Sequence, residues 1–305
     1  MKLRIQDIAI LSSTIRKFSF CAMDGGSLST AGAGAHIVVD IPGPDRIRKN
    51  AYSLVSSPEV HGQYDIIVRR VAQSRGGSAG LHDHAAIGDT LTISQPQNLF
   101  PIARTAKKHL LLSAGIGLTP FLSYLEVLAT PFELHHCCRQ EDSAAFESLL
   151  PKSRNITLHT SRHSFDLASV LAAQKLDTHL HVCGPEGFMD VVLATAKQLG
   201  WPETKIHKES FGGATGGKPF IVHLKRTGIS LEVASDMSLL ETLEAADLAP
   251  PCLCRGGVCG ECELPVLEGI PEHHDHFLSD AKRAQNTAIM TCVSRAKTPE
   301  LILDF

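Results

Sequence analysis

Four cysteines near the C-terminus stand at spacings that can do chemistry. Cys254, Cys259 and Cys262 lie in the run CRGGVCGEC, and Cys292 follows after 29 further residues. A C-x4-C-x2-C loop with one distant cysteine is the spacing that holds a two-iron, two-sulfide cluster of the plant type. Three thiolates converge if a tight loop wraps one side of the cluster, and the fourth arrives from a distant strand. Gly256, Gly257 and Gly260 let that loop close and turn backbone N–H groups toward the sulfides. A structural zinc site pairs two short arms, and the second arm is missing here. No histidine stands at ligand spacing in TCVSRA around Cys292, so the expected ligands are four thiolates, which favour a low reduction potential. Cys252 reads as a packed spare thiol. The run His273-His274-Asp275-His276 looks like a metal site at first sight, but three histidines in a polar loop read as surface residues.

Two glycine-rich turns offer anion sites. Arg75-Gly76-Gly77-Ser78 precedes a short helix expected over 79–84, and a glycine pair opening a helical turn presents free backbone N–H groups. Gly115-Ile116-Gly117-Leu118-Thr119-Pro120 follows a buried strand over 109–113 and suits a pyrophosphate, although it is not the dinucleotide G-x-G-x-x-G. Cys183-Gly184-Pro185-Glu186 ends a second buried strand, HLHVC, and ligands of parallel sheets bind outside such strand ends. Asn50-Ala51-Tyr52-Ser53, taken alone, is only a strand with one aromatic. Neither a Ser-His-Asp set nor a carboxylate pair stands out, so no catalytic side chain is expected.

Three patterns along the chain must position these residues. Over the first hundred residues, short alternating stretches (35–41, 52–55, 64–71 and 90–94) are broken by Gly and Pro, as in a small antiparallel β-barrel. From about Lys107, strands at 109–113, 134–138, 156–160, 179–183 and 205–211 alternate with helical stretches, which predicts a parallel α/β sheet. Gly212-Gly213-Ala214-Thr215-Gly216-Gly217 is a linker. Beyond it come a hairpin (219–225 and 229–233), a helix over 238–246 and the cysteines. The expected divisions are a barrel over 1–104, an α/β domain over 105–211, a linker over 212–218 and an α+β domain over 219–305.

Composition limits the function classes. The 305 residues are 43% apolar and 20% charged, the mix of a folded chain of two or three domains. Aromatics are 5% with a single Trp201, and the net charge is -3, which argues against a nucleic-acid binder. The start, MKLRIQDIAILSSTIRKF, has no export signal, and the apolar stretch 110–125 is broken by Gly115, Gly117 and Pro120. A cytoplasmic chain without a membrane segment is expected, in which nine cysteines point to metal ligands rather than disulfides. Charge is uneven: residues 219–305 carry 13 acidic and 7 basic side chains, so the C-terminal piece is an acidic unit suited to a basic partner.

CRGGVCGECELPVLEGIPEHHDHFLSD with IMTCVSRA resembles the ferredoxin domain of the phthalate dioxygenase reductase family. In that family a flavin barrel, a nicotinamide domain and a plant-type ferredoxin domain follow one another on one chain, and RGGSAGLHDH…GDTL…PQNLFPI matches the flavin phosphate segment. The resemblance implies a multidomain fold. It comprises an antiparallel flavin-binding β-barrel, an α/β parallel-sheet nucleotide-binding domain and a ferredoxin-like β-grasp iron–sulfur domain. It implies FMN held by Asn50, Tyr52, Ser53, Ile67, Val68, Arg69, Gly76, Gly77 and Ser78. Tyr52 would lie against the ring and Ser53 near its N5. The family has R-x-Y-S where this chain has Asn50, and Arg48 shares a strand face with it, so Arg48 can substitute.

The same resemblance implies nicotinamide binding by Gly115, Gly117, Thr119, Pro120, Arg139, Cys183, Gly184 and Pro185, with Glu209 and Phe211 closing over the contact. Glu141 and Asp142 after Arg139 would repel a 2′-phosphate, which favours NADH over NADPH. The [2Fe–2S] ligands are Cys254, Cys259, Cys262 and Cys292. The expected function is the NADH-dependent reductase component of a two-component oxygenase. Electrons would pass from NADH to FMN to [2Fe–2S] to a terminal oxygenase, Rieske-type first and a haem monooxygenase second. A redox sensor without turnover is the other alternative. The expected state is a monomer.

Overall fold

Apolar residues alternate with polar ones in the first hundred residues, and the alternation folds into six antiparallel strands. These are β1 (Lys2–Ile10), β2 (Ile15–Ala22), β3 (His36–Pro42), β4 (Ile47–Ser53), β5 (Gln63–Arg69) and β6 (Thr90–Ile93). They order as β4-β3-β6-β1-β2-β5, and a bridge between Leu54 and Ile66 joins the two edges into a barrel. That bridge closes the sheet across its two edge strands. Leu3, Phe18, Ile37, Val39, Ile66 and Val68 fill the interior. Helix α1 (Gly77–His84) buries Leu81 against this barrel, and Gly80 lies on Ile41. The structure is a computed structural model and describes all residues except 44–45, 57–61, 72–75, 162–164 and 212–215. Arg75 and the linker residues Gly212, Gly213, Ala214 and Thr215 fall outside the described residues.

The second pattern forms β7 (Lys108–Ala114), α2 (Thr119–Val127), β8 (Phe132–Cys137), α3 (Ser143–Leu149), β9 (Ile156–His159), α4 (Leu167–Ala172), β10 (Thr178–Cys183), α5 (Glu186–Gln198) and β11 (Ile206–Glu209). All five strands run parallel in the order β11-β10-β7-β8-β9. The last strand is shorter than the expected 205–211 and stops at Glu209. Strand order reverses between β7 and β10, so the crevice of this sheet opens at their carboxyl ends.

Barrel and parallel sheet form one compact unit, Met1–Glu209. Tyr124 on α2 donates to the Phe100 carbonyl (2.6 Å), and Gly34 N–H donates to Ser123 Oγ (3.0 Å). Gly34 has φ +85°, and a Cβ there would strike the Phe100 carbonyl, so only glycine fits.

The parallel sheet carries an unusual histidine network. His109 on β7 meets His181 on β10 (3.2 Å), His181 stacks on His207 of β11, and His207 meets His179 (2.9 Å). His136 on β8 is fully buried against Phe146 and bonds Ser113 Oγ (2.8 Å).

The second unit, Ser210–Phe305, contains β12 (Phe220–Leu224), β13 (Ile229–Val233), α6 (Leu239–Ala245), β14 (Glu263–Glu268), β15 (Pro271–Glu272), α7 (Asp280–Ala284), β16 (Ala288–Met290), β17 (Arg295–Ala296) and β18 (Glu300–Leu303). Its main sheet orders β13-β12-β18-β14-β16, with β12 and β18 parallel and the other pairs antiparallel, the β-grasp arrangement. Ser238 and Glu241 close a capping box on α6, a feature that stabilises a helix by about 1 kcal/mol. Leu239 and Leu243 then pack under the sheet. Among the described residues no helix is long and apolar enough to cross a membrane.

Candidate functional site

Strand period places three expected flavin residues on one face of β4. Arg48, Asn50 and Tyr52 pair with Ile41, Val39 and Ile37 of β3, whereas Ser53 pairs with His36 and faces the other way. Arg48 and Asn50 both reach the Gly76–Gly77 turn that opens α1. Gly76 has φ +111°, and a Cβ on it would lie 3.0 Å from Arg48 Nε. A Cβ on Gly77 would run into the Asn50 carboxamide. Ser78 is buried behind the turn, and its Oγ accepts from Val71 N–H (3.2 Å). The result is a glycine cradle at a helix start with an arginine beside it, which fits a phosphate.

Burial raises the Tyr52 phenol above its ordinary value. Ser53 Oγ and both ring nitrogens of His36 are buried without a hydrogen-bond partner, and burial lowers the His36 imidazole. Orphaned polar atoms of this kind suit a polar ligand edge. His36 was not among the sequence candidates; its only signal was a histidine in register with Ser53.

On β5 the alternation separates the expected ring-lining residues. Ile67 and Arg69 face outward, but Val68 points into the barrel core and is 1% exposed. Its side chain therefore cannot line a ligand, a correction that follows from the two-residue period. Arg69 makes an ion pair with Asp142 at the start of α3, and its guanidinium lies near Gly115.

At the sheet's reversal point the two glycine turns meet. Gly115 has φ +54°, and a Cβ on Gly117 would collide with the Cys183 carbonyl. A Cβ on Gly184 would lie 2.9 Å from the Phe188 ring and 3.2 Å from Ala114. Thr119 is buried, and its Oγ1 donates to the Ile116 carbonyl (2.9 Å), which fixes the turn into α2 with Pro120 in the first helical turn. Pro185 caps α5. Cys183 is fully buried in register with Glu209, and burial, then the Glu209 charge, push its thiol well up. A neutral thiol with no exposed surface is not a nucleophile, and what it brings to the site is its place at the carboxyl end of β10.

Arg139 and Glu141 are exposed and 3.3 Å apart. Asp142 is not an open acid as expected. It is 2% exposed and engaged by Arg69, so only Glu141 of the two acids faces solvent. Phe211 lies beyond β11, in the second unit, and is partly exposed.

In the second unit the four cysteines gather as two pairs. Cys262 and Cys292 Sγ are 3.1 Å apart, and Cys254 hydrogen-bonds with Cys259. In each pair one thiol, Cys254 or Cys262, is held below its ordinary value by the hydrogen bond from its partner. The loop between them turns through positive φ at Arg255 (54°), Gly257 (71°) and Gly260 (86°). A Cβ on Gly257 would lie 2.6 Å from Val293 Cγ2, and one on Gly260 would strike the Phe277 ring. Arg255 is a non-glycine in this conformation, held by an ion pair with Glu244 of α6.

Among the described residues no group of three or more His, Cys, Asp or Glu converges on one ion position. Two adjacent thiol pairs are instead the donor set that two irons require. Cys252 is half-buried against the same core, and burial pushes its thiol up to about 11.

The His273–His276 run is not simply a surface loop. Asp275 is 2% exposed and lies against the cysteine loop, with His276 N–H donating to the Gly257 carbonyl (2.9 Å). The capping of Phe277 and Leu278 N–H by the Asp275 side chain explains the burial.

Comparison with known proteins bears on both units. A model of the oxidoreductase FAD-binding domain matches residues 2–101, and one of the 2Fe-2S iron-sulfur cluster binding domain matches residues 222–297. The chain is 43% identical to the heme-dependent oxidative N-demethylase beta subunit of Ectopseudomonas mendocina (strain ymp), covering 100% of this chain and 98% of the relative. It is 33% identical to phthalate dioxygenase reductase of Burkholderia cepacia, covering 100% and 97%. Among solved structures, one described as phthalate dioxygenase reductase, a modular structure for electron transfer from pyridine nucleotides to [2Fe-2S], superposes with a TM-score of 0.87. It has 33% identity and covers 100% of this chain and 98% of that one.

Proposed function

This chain belongs to the phthalate dioxygenase reductase family of flavin and iron–sulfur oxidoreductases, and from that premise we propose that it is the NADH-dependent reductase component of a two-component oxygenase. The observation that carries this is the pairing of Cys254 with Cys259 and of Cys262 with Cys292. It lies on the same chain as a glycine-cradled barrel site and a nucleotide crevice. A bound nicotinamide and flavin would supply hydride transfer, and a bound cluster would supply single-electron transfer. The functional divisions are 1–104 for flavin, 105–211 for nicotinamide, 212–218 as linker and 219–305 for the cluster.

The chain's own residues bind and orient. Gly76, Gly77, Ser78 and Arg48 hold the flavin phosphate, with Asn50 packed on the turn. Tyr52, Ser53, Ile67 and Arg69 bound the ring. Gly115, Gly117, Thr119 and Pro120 cradle the nucleotide pyrophosphate, and Cys183, Gly184, Pro185 and Glu209 bound the nicotinamide. Phe211 completes the set by family resemblance. The Cys183 thiol stays protonated and takes no covalent part. Exposed Glu141 disfavours a 2′-phosphate, which supports NADH, and Arg139 lies beside it to meet the adenosine half. Cys254, Cys259, Cys262 and Cys292 ligate the iron.

The acceptor is a terminal oxygenase, and the chain works in the cytoplasm as a monomer. A Rieske-type acceptor is the first expectation. A haem acceptor is the second, favoured by the 43% identity to a subunit whose name is heme-dependent. Purified protein should contain one flavin, FMN on chromatography after acid release, and two irons with acid-labile sulfide. It should reduce cytochrome c with NADH in clear preference to NADPH. FAD in place of FMN, or equal use of NADPH, would correct those assignments. Zinc without sulfide would overturn the proposal.

A further inference from the structure

Asp275 is a buried carboxylate, 2% exposed, in the loop that packs on the cysteine-bearing turn. Its Cα lies 3.2 Å from where a Cβ on Gly257 would stand, and the next residue donates its N–H to the Gly257 carbonyl. The Asp275 side chain accepts from Leu278 N–H (2.8 Å), Phe277 N–H (3.2 Å) and Ser294 Oγ (3.4 Å). Ser294 stands two residues beyond Cys292, so this stretch touches both segments that carry the four thiols, the Asp275 carboxylate on Ser294 and the Asp275–His276 backbone on Gly257.

Two cationic or ionisable groups face it. Arg283 on α7 places Nη2 3.7 Å from Asp275 Oδ2 and also donates to the Asp275 carbonyl, and His273 places Nδ1 3.5 Å from Oδ1. Asp280, the other acid near Arg283, is fully exposed at 3.8 Å and is screened by water.

An iron–sulfur cluster gains negative charge on reduction, and its potential follows the net charge and hydrogen bonding around it. A carboxylate shielded from water beside the cluster loop opposes that charge, and the guanidinium facing it offsets the opposition. We propose that the Asp275–Arg283 pair sets the reduction potential of the cluster held by Cys254, Cys259, Cys262 and Cys292, an inference that rests on the cluster assignment above. Both are tuning residues: neither ligates iron, and each acts through its charge.

The test is a mediator-poised redox titration of the full chain, followed by the EPR signal of the reduced cluster, with iron and sulfide measured on the same samples. Asp275→Asn should raise the midpoint and Arg283→Gln should lower it. Each shift should correspond to a threefold to tenfold change in the one-electron equilibrium, roughly 30–60 mV. The double variant should return close to the wild-type value. Loss of packing alone would lower iron content or broaden the EPR lines in both variants without shifts of opposite sign. Shifts in the same direction, or none, with iron retained would overturn the proposal. If Asp275→Asn purifies without iron, Arg283→Gln decides: a lowered midpoint supports the pair, and an unchanged or raised one refutes it. Wild-type protein lacking iron and sulfide would instead refute the cluster assignment itself.

Discussion

Acidification from pH 7.5 to 5.0 should destabilise the first unit far more than its net charge suggests. Burial lowers the imidazole of His109 to about 4 and that of His136 to about 3, from an ordinary value of 6.5. A neutral histidine favoured by the fold contributes stability that is complete above the unfolded value. That stability is lost as pH falls from 6.5 toward the folded values. At pH 5 an unfolded histidine is almost fully protonated while these two are not, which costs about 2 kcal/mol each, or about 4 kcal/mol together. His181, lowered further by burial and by His207 and His109, acts in the same direction. A typical domain has only about 5–15 kcal/mol to lose.

The single Trp201 packs in the parallel-sheet half of the first unit, so its fluorescence reports that unit alone. With a urea dependence of roughly 2 kcal/mol per molar, the unfolding midpoint should fall by roughly 2 M between the two pH values. Replacing His136 and its partner together, as Ser113→Ala with His136→Phe, should recover about 2 kcal/mol of that loss. A midpoint unchanged between pH 7.5 and 5.0 would refute the reasoning, because it would mean that the network protonates as readily folded as unfolded.

Cys259→Ser should strip the iron yet leave NADH-to-ferricyanide activity at the wild-type rate, because the flavin and nucleotide residues all precede the second unit's cysteines. Arg48→Met should weaken flavin binding about tenfold to a hundredfold, measured by flavin fluorescence on dilution, since a charge-assisted contact contributes about 1.5–3 kcal/mol. Asn50→Arg should bring no gain, because the Asn50 side chain already abuts Gly77. Turnover at limiting partner should slow as salt rises from about 20 to 200 mM, because residues 219–305 carry 13 acids against 7 bases. Stopped-flow flavin reduction at saturating NADH should not change over the same range.

Local pattern made much of this molecule legible. The cysteine spacing pointed to four thiols in one region, which the fold gathers as two pairs, and strands alternating with helical stretches marked the parallel sheet within a residue or two. Strand β1 was less visible because a register shift between Ile5 and Asp7 breaks the alternation on which such readings depend. Pairings across long stretches of chain were invisible. Asp142 looked like a solvent-facing acid until Arg69, 73 residues earlier, was found to engage it. Asp275 looked like part of a polar surface run because it accepts from backbone N–H groups and Ser294 and faces Arg283, contacts that no side-chain pattern announces. His36 became notable only when strand register set it beside Ser53.

Strand order in the second unit also has a consequence for biosynthesis. β18 follows the other strands of this sheet in sequence, yet it sits in the middle, between β12 and β14. Until residues 300–303 leave the ribosome, the two sides of that sheet have nothing to join them, and Leu301 and Leu303 are missing from its core. Met1–Glu209 has no such dependence and can fold while the rest is being translated. Maturation therefore has a built-in order. The sheet that carries β14 and β16 beside the cysteine loop joins β12 and β13 only once residues 300–303 are in place. A chain lacking residues 300–303 would keep the first unit's fold while the sheet of the second unit stays in two halves.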